Sequence, residues 1–319
     1  MDNYNDKNVL KMISSLNSKS QNEIQKKLND ANKNIDYYYS IFFELLAGMM
    51  LSRQGLEINY EHKIDGKTPD WVIQQNNKIQ AIVEVKSYFK KQVWKNYEIF
   101  CDAIQNELKT IPVGVSLEIN YLSTIYDYKD DFMPSLIGFK EKVIDWLSNY
   151  EIEDIFEFQD IEIKILFFNK LLTYPDIGIR PTTVQWGYDT GVEKDIFNKI
   201  DKYKNIIDNN KIPYILVLVR QGDTTNFKFT DIENIFKGKV NFIYNRDKKQ
   251  ITNQILEKNS IVNNLDEYVN AVIFIDNQNL DKWNINVINL NENAKYKMDG
   301  SILTKINQLD NFEFEINKL

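Results

Sequence analysis

Apolar positions along the chain change period several times, and each change predicts an element. Val9, Leu10, Ile13 and Leu16, then Ile24 and Leu28 after a polar Ser/Asn break, recur at helical spacing and predict one or two amphipathic helices over 7–29. A polar linker at 30–36 leads into a helix over 36–54, where Tyr38, Phe42, Leu45 and Met49 form a stripe that Leu46 and Met50 widen. Gly48 predicts a close approach of this helix to a sheet, and Gly55 ends it. The period then falls to two. A strand is expected over 56–64, a turn at Asp65-Gly66-Lys67, a short strand at 70–74, a polar turn at Gln75-Asn76-Asn77 and a longer apolar strand over 78–86. A helix over 87–110, with Val93, Tyr97, Phe100, Cys101, Ile104 and Leu108 on one side, and a strand over 113–122 come next.

Further along, the pattern predicts helices over 139–150, 192–207 and 229–236, and strands over 161–168, 180–186, 211–220 and 269–275. The Asn/Lys-rich stretch 245–264 is expected to be a mobile insertion, and 276–319 a polar, partly stranded tail. The second half is expected to extend the first sheet or pack on it.

One strand carries charge where charge is costly. Glu84 and Lys86 are embedded in Ala81-Ile82-Val83-Glu84-Val85-Lys86, and strand alternation puts both on one face, with Val83 and Val85 on the other. Asp70 sits at the mouth of the partner strand. Two carboxylates and an ammonium gathered at the end of a hairpin need a partner to offset their desolvation, and a divalent cation is the natural one. Acid-x-Lys recurs at Glu61-His-Lys63, Asp127-Tyr-Lys129, Glu162-Ile-Lys164 and Asp247-Lys-Lys249, and Pro-Asp recurs at Pro175-Asp176. Only Glu84-Val85-Lys86 combines an apolar strand, an upstream Pro-Asp at hairpin distance and a helical Glu44 before both.

Pro69-Asp70, then Glu84-Val85-Lys86, preceded by Glu44, together resemble the PD-(D/E)XK nuclease superfamily. The resemblance implies an α/β fold: a restriction-endonuclease-like αβββαβ core, with a central mixed sheet flanked by helices, extended here by a C-terminal α/β half. It implies that Asp70 and Glu84 hold Mg²⁺ (Mn²⁺ as a substitute) with the Val85 carbonyl as a further ligand. Lys86 would position or activate the attacking water, and Glu44 matches the additional helix glutamate of some members. The predicted helix–three strands–helix–strand order over residues 36–125 agrees with that core. The expected organisation is therefore an N-terminal helical segment 1–35, a nuclease core 36–125 and an extension 126–319.

Composition narrows the chemistry. The single histidine, His62, argues against Ser-His or Cys-His catalysis and against His-rich zinc sites, leaving carboxylates, lysine and metal. One cysteine, Cys101, rules out an internal disulfide, and the N-terminus lacks the basic start and apolar run of a signal peptide, so a cytoplasmic setting is expected. No apolar run approaches the length that spans a bilayer, so no membrane partner is expected. A net charge of −7 with only four arginines runs against a protein that grips a polyanion. Lys90, Lys91 and Lys95, with Gln92, cluster just past the motif and are the candidate substrate-binding residues; a solvated helix face explains the lysines as well. The expected activity is a metal-dependent endonuclease acting on DNA, in restriction or phage defence, as a homodimer or a subunit of a larger complex. The alternatives are a nuclease-fold scaffold with a protein partner, or an RNA-cleaving toxin.

Overall fold

The structure, a computed structural model, describes residues 6–31, 34–89, 92–121, 135–149, 154–159, 161–180, 190–221, 228–245, 250–257, 260–279 and 282–315. In chain order it opens with α1 (Asp6–Ser14), α2 (Ser18–Asp30) and α3 (Ile35–Arg53), then β1 (Glu57–Tyr60), β2 (Trp71–Gln75) and β3 (Lys78–Tyr88). There follow α4 (Gln92–Lys109), β4 (Val115–Tyr121), α5 (Phe139–Ser148), β5 (Ile155–Phe158), β6 (Ile161–Phe168) and β7 (Asp176–Arg180). The remainder is α6 (Thr190–Asn210), β8 (Tyr214–Gln221), α7 (Phe229–Lys237), β9 (Lys239–Asn245), β10 (Gln250–Glu257), β11 (Ala271–Asn279), β12 (Lys282–Asn289), α8 (Gly300–Asn307) and β13 (Phe312–Glu315). Two short 3-10 turns, Ile261–Asn264 and Asp266–Tyr268, precede β11.

The chain divides into two compact units, 1–89 with 187–319, and 90–186. In the first, a mixed sheet runs β1-β2-β3-β8-β11-β12-β13 and is flanked by helices. Its three central strands, β3, β8 and β11, are parallel, and antiparallel strands complete both sides. Parallel neighbours cannot be joined by a tight turn and need a crossover. Between β3 and β8 the helix serving that purpose in this unit is α6, whose Val192, Ile196, Ile200 and Tyr203 pack with Ile82, Leu216 and Leu218 of the sheet. The opposite face, with Val83, Val85, Val217 and Ile273, is covered by α3 and α8, with α1 and α2 packed on α3.

Local chemistry accounts for the hairpins. Asn76 and Asn77 both have positive φ, 52° and 60°, in a two-residue loop closed by the Gln75–Lys78 pair, the backbone that matches strand twist and that Asn tolerates. Asp65-Gly66 repeats the device, with φ of 45° and 83°, between Ile64 and Lys67. In α3 the expected stripe is too narrow. Ile41, Phe42, Phe43, Leu45, Leu46, Ala47, Met49, Met50 and Leu51 are all buried, because α1 and α2 cover the side of the helix turned away from the sheet. Gly48 meets the expectation of close approach: a Cβ there would lie 2.2 Å from the Trp71 ring.

The second unit has its own sheet, ordered β5-β6-β4-β7, and its own core of Phe100, Ile104 and Leu108 from α4 with Leu117, Ile119, Phe139 and Ile163. Several expectations change accordingly. The strand expected over 113–122 does not continue the motif sheet; it pairs with β6 and β7, and β8 takes the place beside β3. The boundaries expected at 36 and 126 do not coincide with those of the two units, since α1 and α2 pack on α3 and the chain returns to the first sheet after 187. Among the described residues of the stretch 245–264, β10 pairs with β9 and Ile261–Asn264 form a 3-10 turn. The expected tail supplies two strands of the main sheet, anchored by Trp283 and Phe314. Among the described residues, no helix is long and apolar enough to cross a membrane.

Candidate functional site

The hairpin register places the two acids. Trp71 pairs with Val83, so Asp70, one residue before β2, falls opposite Glu84. The Asp70 N–H donates to Glu84 Oε1 at 3.1 Å, and Asp70 Oδ2 accepts from the Val85 N–H at 2.7 Å. Asp70 is thus locked by backbone groups of its own hairpin, with its side chain 18% exposed, whereas the Glu84 side chain is 0% exposed. A fully buried carboxylate needs a countercharge. It comes from α6: Lys199 Nζ lies 2.6 Å from Glu84 Oε2 and 3.5 Å from Asp70 Oδ2. The Tyr203 hydroxyl stands between the Thr68 carbonyl, to which it donates at 3.0 Å, and the Glu84 carboxylate.

The pairing between strand and helix is reciprocal. Lys86 Nζ is 2.7 Å from Asp195 Oδ2, so an acid on α6 faces the amine of β3 and an amine on α6 faces its acid. Two residues along a strand advance about 6.7 Å and four along a helix about 6 Å, so i,i+2 on the strand stays in register with i,i+4 on the helix. Asp195, Lys199 and Tyr203 form this row, beside the apolar row of Val192, Ile196 and Ile200.

Electrostatics follow from burial. Burial, then the Asp70 charge, holds the Glu84 carboxyl above the usual range despite Lys199. Burial opposes the Lys199 charge, but Asp70 and Glu84 more than offset it, and its ammonium is held above the ordinary lysine value. Two carboxylates share one ammonium, leaving an excess of negative charge. Glu44 stands behind them on α3: its Oε2 accepts from the Tyr60 hydroxyl at 2.5 Å, and its backbone carbonyl accepts from Trp71 Nε1 at 2.9 Å. Burial, then Asp70, pushes its carboxyl up to about 7.

The expected site residues therefore fall into groups. Asp70 and Glu84 converge on one cation position, and Glu44 lies within electrostatic range of Asp70 and Lys199. Lys86 shares the face of Glu84 but is bonded to Asp195 and lies over the Tyr88 ring, 5.5 Å from its centroid. Val85 meets Asp70 through its N–H. Lys90 and Lys91, and the side chains of Gln92 and Lys95, lie outside the described residues. Phe89 packs on Tyr39 and Phe43, a core role.

Sequence reasoning missed Lys199, Asp195, Tyr203 and Tyr60. The polar row at spacing four on a predicted helix was visible, but nothing local says that this helix crosses the motif strand.

Among the described residues no three His, Cys, Asp or Glu side chains cluster as a ready metal shell. Two converging carboxylates still suit Mg²⁺, which prefers oxygen ligands, keeps several waters and is commonly held by one or two carboxylates. The donor set fits such an ion, with the Lys199 ammonium standing in the shared position. Comparison with protein-family models, with curated proteins and with solved structures gives no match.

Proposed function

We propose that this chain is a metal-dependent endonuclease hydrolysing phosphodiester bonds in DNA, in a restriction or phage-defence setting, on a restriction-endonuclease-like core. The observation that carries the reading is the convergence of Asp70 and Glu84, from adjoining segments of one hairpin, on a common cation. The order α3-β1-β2-β3-α6-β8, with the second unit interposed after β3, supports the αβββαβ reading of the core.

Asp70, Glu84 and the Val85 carbonyl are the groups that would hold Mg²⁺ or Mn²⁺. When bound, the ion supplies polarisation of the scissile phosphate and a more acidic water. Lys86, held by Asp195, would position the attacking water and offset the charge that develops on the scissile phosphate. Glu84 is anchored by Tyr203 and the Asp70 N–H, so its carboxylate is preorganised. Lys90, Lys91, Gln92 and Lys95 are the proposed substrate contacts. With a net charge of −7, a second copy or a partner subunit would supply further grip on DNA.

The test is incubation of the full chain with plasmid, single-stranded DNA and tRNA, with Mg²⁺ or Mn²⁺ and with EDTA. Metal-dependent cutting of DNA that is lost in Asp70→Ala and Lys86→Ala supports the reading; cutting confined to tRNA makes the chain a ribonuclease. One observation favours a second reading. The charges of β3 and α6 neutralise each other in reciprocal pairs, as in a scaffold that uses ions to fix a helix. A wild-type protein that cuts none of the three substrates, yet unfolds readily on loss of Lys199, which leaves the buried Glu84 unpaired, would be that scaffold.

A further inference from the structure

The Asp70–Glu84 pair already holds a cation, and it belongs to the chain itself. We propose that Lys199 is a tethered counter-ion occupying the metal position, so that a divalent ion enters only as the Lys199 side chain swings out. The inference rests on reading the site as a metal centre.

Position comes first. Lys199 Nζ stands between the two carboxylates, 2.6 Å from Glu84 Oε2 and 3.5 Å from Asp70 Oδ2, so it and an ion held by both acids would compete for one place. Two positive centres cannot share that spot, because their repulsion is strong where solvent is excluded. Charge comes next. One ammonium leaves the two carboxylates under-neutralised, whereas a doubly charged ion matches them. A route also exists: the Lys199 side chain is 24% exposed and sits on a flexible four-carbon stem. Asp195, one turn earlier on the same face of α6 and already bonded to Lys86, is at the spacing where side chains meet, so the displaced ammonium can join Lys86 on its carboxylate. Finally, the Tyr214 hydroxyl is buried on this face of β8, in electrostatic range of Glu84 and Asp70, with no hydrogen-bond partner among the described residues. A polar atom of that kind points to a site built to take on a further polar occupant.

The experiment is calorimetric titration of Mn²⁺ into the full chain as wild type, Lys199→Gln, Lys199→Arg and Asp70→Ala. Lys199→Gln should bind Mn²⁺ at least tenfold more tightly than wild type. Lys199→Arg, which keeps the charge, should bind no more tightly, and Asp70→Ala should lose binding. Equal or weaker binding by Lys199→Gln, with loss in Asp70→Ala, overturns the tethered-ion idea while leaving the metal site standing. No Mn²⁺ binding by wild type or Lys199→Gln overturns the metal reading and this inference with it. Because Lys199→Gln could unfold, wild type supplies a second measurement: acetylation of Lys199, followed by mass spectrometry with and without Mn²⁺. The rate should rise severalfold with the ion; an unchanged or slower rate refutes displacement.

Discussion

Glu44→Gln separates the electrostatics of the site from its shape. The Gln side chain has nearly the same volume, and its carbonyl can still accept from the Tyr60 hydroxyl that now bonds Glu44 Oε2. What changes is the ability to carry charge. The carboxyl is held at about 7 in the folded protein, against 4.5 ordinarily, first by burial and then by Asp70, with Tyr60, Lys27 and Lys199 pulling the other way. A folded-state value above the unfolded one means that the native protein binds the proton more tightly. The stabilisation is therefore complete below about 4.5 and is lost as pH rises through about 7, where the native state must carry a buried anion. At about 1.4 kcal/mol per pH unit the difference between those limits is about 3 kcal/mol. Part of the side chain is solvent-accessible, which lowers the expected effect to roughly 1–2 kcal/mol. Urea unfolding of both proteins at pH 5, 6, 7 and 8 should show Glu44→Gln gaining on wild type by that amount between pH 5 and 8. Asp70→Asn in both backgrounds should shrink the gain, since Asp70 is the second cause of the shift. A stability difference that stays flat with pH would refute the reasoning.

Two other substitutions test the packing that holds the site. Gly48→Ala puts a Cβ 2.2 Å from the ring of Trp71, which is fully buried and tied by its Nε1 to the Glu44 carbonyl, so the ring has no room to give. A loss of about 1–3 kcal/mol or more is expected on urea unfolding, and a variant as stable as wild type would contradict the contact. Tyr214→Phe removes a buried hydroxyl that lacks a partner among the described residues, so it should leave the metal-free protein at least as stable, with a gain of up to about 1 kcal/mol. A clear loss of stability in thermal unfolding would show that the hydroxyl is satisfied.

Much of the motif hairpin was legible because its determinants are local. Asn76-Asn77 closes Gln75 on Lys78, a register that, carried along the strands, would set Asp70 against Val83. The one-residue shift between Ile73 and Gln74 brings Asp70 opposite Glu84 instead. Alternation likewise separates Glu84 and Lys86 from Val83 and Val85, and Gly48 marks where α3 meets β2. The strand beside β3 was not legible. Residues 113–122 and 214–221 are both apolar strands, and periodicity says only that each is buried, not against what. Choosing between them is a matter of long-range pairing, with the whole of 90–186 folding on its own core in between.

That choice decides the chemistry of the site. Once β8 rather than β4 lies beside β3, the crossover helix is α6, and Lys199, Asp195 and Tyr203 arrive at Glu84 and Lys86 from more than a hundred residues away. The sequence by itself determined that Asp70 and Glu84 belong to one hairpin and that Glu84 shares a face with Lys86, because a turn and a two-residue period need no other part of the chain. The register shift that sets one acid opposite the other belongs to the folded sheet. Only the tertiary structure decided which amine neutralises them. A buried carboxylate demands a countercharge, and which lysine supplies it depends on which helix the completed sheet gathers over that face.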